Sequence, residues 1–308
     1  MEPFPDKFSI TDLESFSGVK AHTIRAWERR YAILKPGRRG ANVRSYNNDE
    51  LRNLMNVALL VRHGIKISKV AQLSLKEREI RVRQLAEGDA GVEHDLQRLQ
   101  IAMLGYDSGM LERIANDFEE REGFQGLMEK LFLPFLIRIG TLWQSDAIRA
   151  GQEHMASNLI RQRIIAAIHA LPSHPREESP LCVLFLPEQE LHELGLLYLN
   201  YLLRLQDHRT LFLGQSVPYG DLRGIALRTS DPVIFIGVYS TVPRSEPMAD
   251  HIAKLRATIP QGHARFILSG PRVAEVEKME LPSGVMVHTD IREIPRLVGS
   301  MKGFDRTI

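Results

Sequence analysis

Three groups of residues in this 308-residue chain have types and spacings that could do chemistry. In the stretch PEQELHELG, Glu190 and His192 stand two residues apart and Gly195 follows three later. Glu153 and His154 adjoin in a segment that also holds Ser157, Asn158 and Arg161. On a helix, Glu153 neighbours Ser157 and His154 neighbours Asn158, four residues on. That gathers a carboxylate, an imidazole and small polar groups on an otherwise apolar helix, although His154 alone reads equally as a satisfied surface or core histidine. The third group is cationic: Arg25, Arg29 and Arg30 within Ala21–Tyr31. Nucleotide and protease motifs are missing. There is no GxGxxG fingerprint and no P-loop, and His192-Glu193 lacks the second histidine of HExxH.

Charge separates the arginines from the rest. Residues 1–75 carry 13 Lys/Arg against 7 Asp/Glu, and the other 233 carry 27 against 31. A basic head on a mildly acidic body points to a polyanion at the head alone. The single Cys182 excludes a disulfide scaffold within one chain and any multi-cysteine metal site. It sits in an apolar run and reads as a small buried hydrophobe. No apolar run reaches the roughly 20 residues of a membrane span, and the acidic start is unlike a signal peptide. The expectation is a soluble, cytoplasmic protein with no membrane partner.

The elements that would position these residues fall into three parts, 1–78, 88–172 and 180–308. In the head, Thr11 and Glu14 have capping-box spacing and open a short helix on Leu13, Phe16 and Val19. A turn at Gly18 leads to the arginine-bearing helix, with Trp27 on its core side. Two short helices joined by a glycine turn read as helix-turn-helix. Pro36–Tyr46 has the composition of a hairpin wing, Asn48–Arg62 is an amphipathic helix, and Ile65–Leu73 adds a short one. Helical periods then recur in Val92–Leu104, Met110–Glu120, Gln125–Leu142 and Ile148–Leu171, which implies a four-helix bundle. The stretch SHPREESP, 173–180, is a linker by composition. Beyond it, five apolar runs (Leu181–Leu186, Thr210–Leu213, Val233–Val238, Arg265–Leu268, Val285–His288) alternate with helical stretches. The fold class is therefore multidomain α and α/β: a winged helix-turn-helix, a four-helix bundle and a flavodoxin-like five-stranded parallel sheet of order 2-1-3-4-5. In that order a ligand crevice lies beyond the first and third strands. Those loops hold Glu190, His192 and Gly195, and Ser240.

FSITDLESFSGVKAHTIRAWERRYAILKP followed by RSYNNDELRNL resembles the winged helix-turn-helix of MerR-type transcription regulators over about the first 75 residues. The resemblance implies a double-stranded DNA operator as partner. Thr23, Arg25, Arg29, Arg30 and Tyr31 would contact it from the second helix, and Arg44 and Tyr46 from the wing. Arginine suits both phosphate forks and guanine edges.

A second resemblance covers the C-terminal part. Glu190-Leu-His192-Glu-Leu-Gly195 is similar to the D-x-H-x-x-G loop of cobalamin-binding domains, Ser240-Thr-Val242 to their S-x-L, and Ser269-Gly270 to their Gly-Gly. It implies His192 as the lower axial ligand of cobalt, with a carboxylate on its other nitrogen. It also places Ser240, Val242, Ser269 and Gly270 along the displaced nucleotide tail. Trp143, nine residues, then Glu153-His154 resembles the W-x9-EH pattern of CarH-type regulators, in which a MerR head precedes a cobalamin module. This implies adenosylcobalamin as cofactor, with Trp143 and Glu153 against its adenosyl group and His154 as upper cobalt ligand after light. Three positions depart from the pattern: Glu190 stands for Asp, Val242 for Leu and Ser269 for Gly.

The resulting expectation is a repressor, not an enzyme, whose self-association as dimer or tetramer and whose DNA affinity follow the cofactor and light. The alternative is a cobalamin-independent regulator of the same architecture. Its C-terminal half would then serve protein interaction or sense another small molecule.

Overall fold

The computed structural model describes residues 8–39, 43–84, 91–144, 148–172, 179–229, 233–259 and 264–301. The tip of the wing, most of the Gln144–Asp146 break and residues 173–178 of the linker lie outside that set. Contacts divide the chain into two compact units, Met1–Leu159 and Ile160–Ile308.

The first unit opens with α1 (Ile10–Ser17) and α2 (Ala21–Tyr31). The capping box expected of Thr11 and Glu14 is instead formed by Ser9 and Asp12: Asp12 N donates to Ser9 Oγ, and Ser9 N to the Asp12 carboxylate. Ser9 has the extended backbone an N-cap needs, whereas Thr11 is already helical. Glu14 has another task. Its carboxylate accepts from Lys20 Nζ and from Ala21 N, each at 2.9 Å, and so caps the start of α2 across the Gly18 turn. Strands β1 (Gly37–Arg39) and β2 (Val43–Ser45) pair antiparallel as the wing. α3 (Asn48–Arg62) follows with the expected bounds, capped by Asn47.

α4 (Ile67–Gln72) is shorter than expected, and α5 (Leu75–Gln84) was not expected at all. Among the described residues of the strongly polar α5, Arg78 and Val82 are buried. Arg78 donates to Val70 O, Ala71 O and Asn53 Oδ1, which ties α5 to α4 and α3.

Four further helices are α6 (Val92–Leu104), α7 (Ser108–Gly126), α8 (Leu133–Gln144) and α9 (Ala150–Ala170). Gly123 breaks α7 at φ 71°, as its position implied. A π-helical turn, Leu127–Phe132, then precedes Pro134, whose ring would clash with a carbonyl of a regular α-turn. α9 runs through the boundary between the units.

The second unit is a five-stranded parallel sheet ordered β4-β3-β5-β6-β7, which is the 2-1-3-4-5 winding expected. Its strands are β3 (Leu181–Pro187), β4 (Thr210–Val217), β5 (Val233–Val238), β6 (Ala264–Ser269) and β7 (Val285–Val287). The helices α10 (Leu194–Leu205) and α13 (Ile294–Ser300) cover one face, around Leu184, Leu199 and Ile236. The other face, around Phe185, Phe235 and Phe266, is covered by α11 (Tyr219–Arg228) and α12 (Met248–Thr258). The helical stretch expected after β6 is a 3-10 turn, Pro271–Val276. β3 and β5 are buried along nearly all their length, which explains their continuous apolar runs. Cys182 is fully buried and its thiol is pushed up to about 12 by burial, as a structural cysteine requires.

Candidate functional site

The winding order brings the loop after β3 beside the loop after β5. Glu190 is where they meet. It is wholly buried, yet it is an ionised carboxylate with a full set of donors. Leu191 N (3.1 Å) and His192 N (3.2 Å) donate to Oε1, and Ser240 N (3.0 Å) and Thr241 N (2.6 Å) to Oε2. The Thr241 hydroxyl reaches both oxygens, and His192 Nδ1 lies 2.5 Å from Oε1. Burial alone would push this carboxyl up. The bonds from His192, from the Thr241 backbone and from the His192 backbone outweigh it and hold the group down at about 2. The extra methylene relative to Asp lets one carboxylate bridge both loops.

Glu190 thereby fixes His192. The carboxylate engages Nδ1 and so sets the orientation of the ring, whose side chain is 63% exposed. Just beyond, Arg161 of α9 pairs with Glu193 at 2.5 Å and anchors the start of α10. Neither Thr241 nor the Arg161–Glu193 pair was expected in the site. The only trace of the first was its place inside the Ser240-Thr-Val242 motif.

The other expected ligand-facing residues are placed as follows. A Cβ on Gly195 would meet no atom within 4 Å, so the backbone there is open to close approach. Ser240 is half-buried and its hydroxyl makes no protein hydrogen bond among the described residues. Val242, expected on the ligand side, is a core residue. It packs with Tyr239 and Val273 on the face covered by α11 and α12, opposite to the face α10 covers. Ser269 is fully buried as the last residue of β6, and its hydroxyl has no partner among the described residues.

Gly270 has φ 104°, and a Cβ there would fall 2.4 Å from the Tyr239 carbonyl oxygen, a backbone atom. Gly270→Ala is expected to cost about 2 kcal/mol or more in urea denaturation, from strain and backbone overlap together. A loss under about 0.5 kcal/mol would show that this loop yields.

In the first unit, His154 Nδ1 lies 2.7 Å from Glu153 Oε2, and the ring is 67% exposed. This repeats the carboxylate–imidazole pairing of Glu190 and His192. The contacts expected at four-residue spacing are not the ones made; Ser157 Oγ donates to His154 O instead. Trp143 lies in α8, but its side chain is outside the described set.

On the head, Arg25, Arg29 and Arg30 are exposed on α2 and make no ion pair among the described residues. Thr23 and Tyr31 are half-buried, and the Arg30 guanidinium lies 5.8 Å from the Tyr31 ring centre. Tyr46, expected to touch DNA, is instead 1% exposed. Its hydroxyl donates to Glu28 Oε2 at 2.9 Å, while Arg44 Nε donates to Glu28 Oε1 at 3.0 Å. The backbone of Tyr46 also pairs with Phe8 in both directions. Tyr46 therefore ties the wing to α2 rather than presenting its ring, and Glu28 holds both wing side chains.

These features define a class. Residues 8–76 match the MerR HTH family regulatory protein and residues 95–167 match the B12 binding domain. The chain is a MerR-type DNA-binding transcription regulator carrying a B12-binding domain. It is 31% identical over 267 residues to the HTH-type transcriptional repressor CarH of Myxococcus xanthus, covering 83% of this chain and 86% of that one. It is 28% identical over 228 residues to the repressor CarA of the same organism, 73% and 74% of the two chains. The chain belongs to the CarH family of transcriptional repressors. In fold it is similar to the monomethylamine corrinoid protein of Methanosarcina barkeri, with TM-score 0.54 and 13% identity over 67% of this chain and 98% of that one. No helix of the described residues is long and apolar enough to cross a membrane.

The residues present fit a corrinoid. One imidazole is held by a carboxylate through its other nitrogen, the chain at Gly195 is open to close approach, and a buried Ser269 hydroxyl has no protein partner.

Proposed function

We propose that this repressor's hold on DNA is set by adenosylcobalamin and by light. The observation that carries the reading is the Glu190 clamp, which buries an ionised carboxylate in order to orient one exposed imidazole. When bound, the cofactor supplies a carbon–cobalt bond that light breaks. His192 would hold the cobalt, with Glu190 orienting its ring. Gly195, Ser240, Ser269 and Gly270 line the nucleotide tail. By the resemblance, Trp143 and Glu153 would serve the adenosyl group, and His154 would offer its imidazole once light has acted. Arg25, Arg29, Arg30 and Arg44 contact DNA, with Thr23 and Tyr31 beside them.

The chain works in three parts: head 1–78, helices 88–172 and sheet domain 180–308. In darkness it self-associates as a dimer or tetramer that presents several heads, so avidity strengthens DNA binding. No substrate is turned over, and the protein is no enzyme.

The test is incubation with adenosylcobalamin in darkness, desalting, and absorbance before and after green light, with light scattering and DNA binding measured in both states. Retained corrinoid, a light-dependent spectrum, a smaller oligomer and weaker DNA binding are expected. Retention without any light response would overturn the photosensory half of the reading, and no retention the whole of it.

A further inference from the structure

Two helices of the first unit carry five buried side-chain atoms that have no hydrogen-bond partner among the described residues. Asn56 Oδ1 belongs to α3; His94 Nδ1, His94 Nε2, Arg98 Nε and Gln100 Oε1 belong to α6. The two helices pack on each other, α3 from the head and α6 from the helices that follow it. Buried polar atoms without partners are costly, and native proteins carry few. A seam that concentrates them is held more weakly than its apolar contacts alone would hold it.

His94 is the extreme case. Its side chain is 5% exposed and neither ring nitrogen has a partner. The ring meets that of His63, the C-cap of α3, edge to face, with centres 4.6 Å apart and planes at 61°. His63 is exposed, and its Nδ1 donates to Leu59 O at 2.9 Å.

A neutral imidazole is tolerated in this place, but a protonated one finds no acceptor. Asp95 Oδ1 lies 3.9 Å from His94 Nδ1, beyond hydrogen-bond reach. That carboxylate is already taken by Arg98 at 3.3 Å and by Arg121 of α7 at 2.8 Å. Glu93 is taken by Arg138 of α8 at 2.6 Å. From α3 come only cations, His63 and, before it, Arg62, whose guanidinium donates to Ser17 O. On the π-helical turn, Glu129 and Lys130 are not buried, and Lys130 pairs with Glu122. Burial first, then His63 and Arg98, push the His94 imidazole down to about 4.

We propose that the α3–α6 seam is an acid-sensitive joint, which opens as His94 takes a proton and so uncouples the DNA-binding head from the helices behind it. The proposal stands apart from the corrinoid reading. An opened seam returns His94 to water, where an imidazole titrates near 6.5. Between 6.5 and about 4 the open form binds the proton and the closed form does not, so closure is favoured at neutral pH and lost as pH falls. From about pH 7.5 to about pH 5.5 the opening equilibrium should rise about tenfold.

The test is amide hydrogen exchange of the full chain at about pH 7.5 and about pH 5.5, corrected for the intrinsic pH dependence of exchange and read by mass spectrometry. Protection of residues 57–63 and 92–98 should fall about tenfold, while β3 and β5 keep theirs. In His94→Phe and in the smaller His94→Leu the fall should vanish. Their protection at neutral pH should hold or rise, since an imidazole without partners is replaced by an apolar group. Unchanged protection of the seam in acid would overturn the proposal, as would the same fall in both variants or an equal fall in β3 and β5. Failure of both variants to fold would overturn it too, because the imidazole would then be holding the seam closed.

Discussion

Glu190→Ala is expected to abolish corrinoid retention and to cost the apo-protein about 3 kcal/mol, measured by denaturation at neutral pH. The carboxyl sits at about 2 in the folded chain against an ordinary value of 4.5, and each unit is worth about 1.4 kcal/mol. Removing it strands four backbone N–H groups and the Thr241 hydroxyl between two loops. Glu190→Gln keeps the length but not the charge, and should lie between. His192→Ala provides the contrast. Glu190 then keeps its other donors, so stability should fall by less than about 1 kcal/mol, the net worth of one hydrogen bond. Cofactor retention should still fall at least tenfold. Equal stability losses in Glu190→Ala and His192→Ala would refute the clamp.

The second large effect concerns the head. Combined Arg25→Ala, Arg29→Ala and Arg30→Ala is expected to weaken binding to a generic duplex at least a hundredfold at moderate salt. The slope of log affinity against log salt should become shallower by about 0.9 for each arginine that contacts phosphate, so by up to about 2.7. All three side chains are exposed, and corrinoid retention and melting temperature should not change. Fluorescence anisotropy across a salt series measures this. An unchanged slope would remove α2 from the interface. Arg44→Ala should have a smaller effect, because Arg44 already gives its Nε to Glu28.

Strand order and the Glu190–His192 loop were legible in the chain because buried parallel strands leave uninterrupted apolar runs and their loops hold the polar residues. The bounds of α3 could be read because Asn47 marks its start. What could not be read depended on distant partners. Thr241 reaches Glu190 across 51 residues. Tyr46 is buried by Glu28 and Phe8, and no local pattern separates a wing tyrosine that meets DNA from one that fastens the wing. α5 was missed because its composition is strongly polar and one of its buried residues is an arginine, Arg78, beside Val82. The capping box slipped by two residues because Ser9, Thr11 and Asp12 all suit helix starts.

The strand order has a consequence for biosynthesis. β3 leaves the ribosome first and occupies the interior of the sheet, flanked by β4 and β5. β4 joins one side, and β5, β6 and β7 then add outward on the other in the order in which they are translated. No strand has to be inserted between two that are already paired. Translation at about 5–20 residues per second leaves seconds between successive strands. The sheet can therefore grow at its open edge as the chain emerges, and the Glu190 loop waits only for β5 and the three residues after it before its clamp can close.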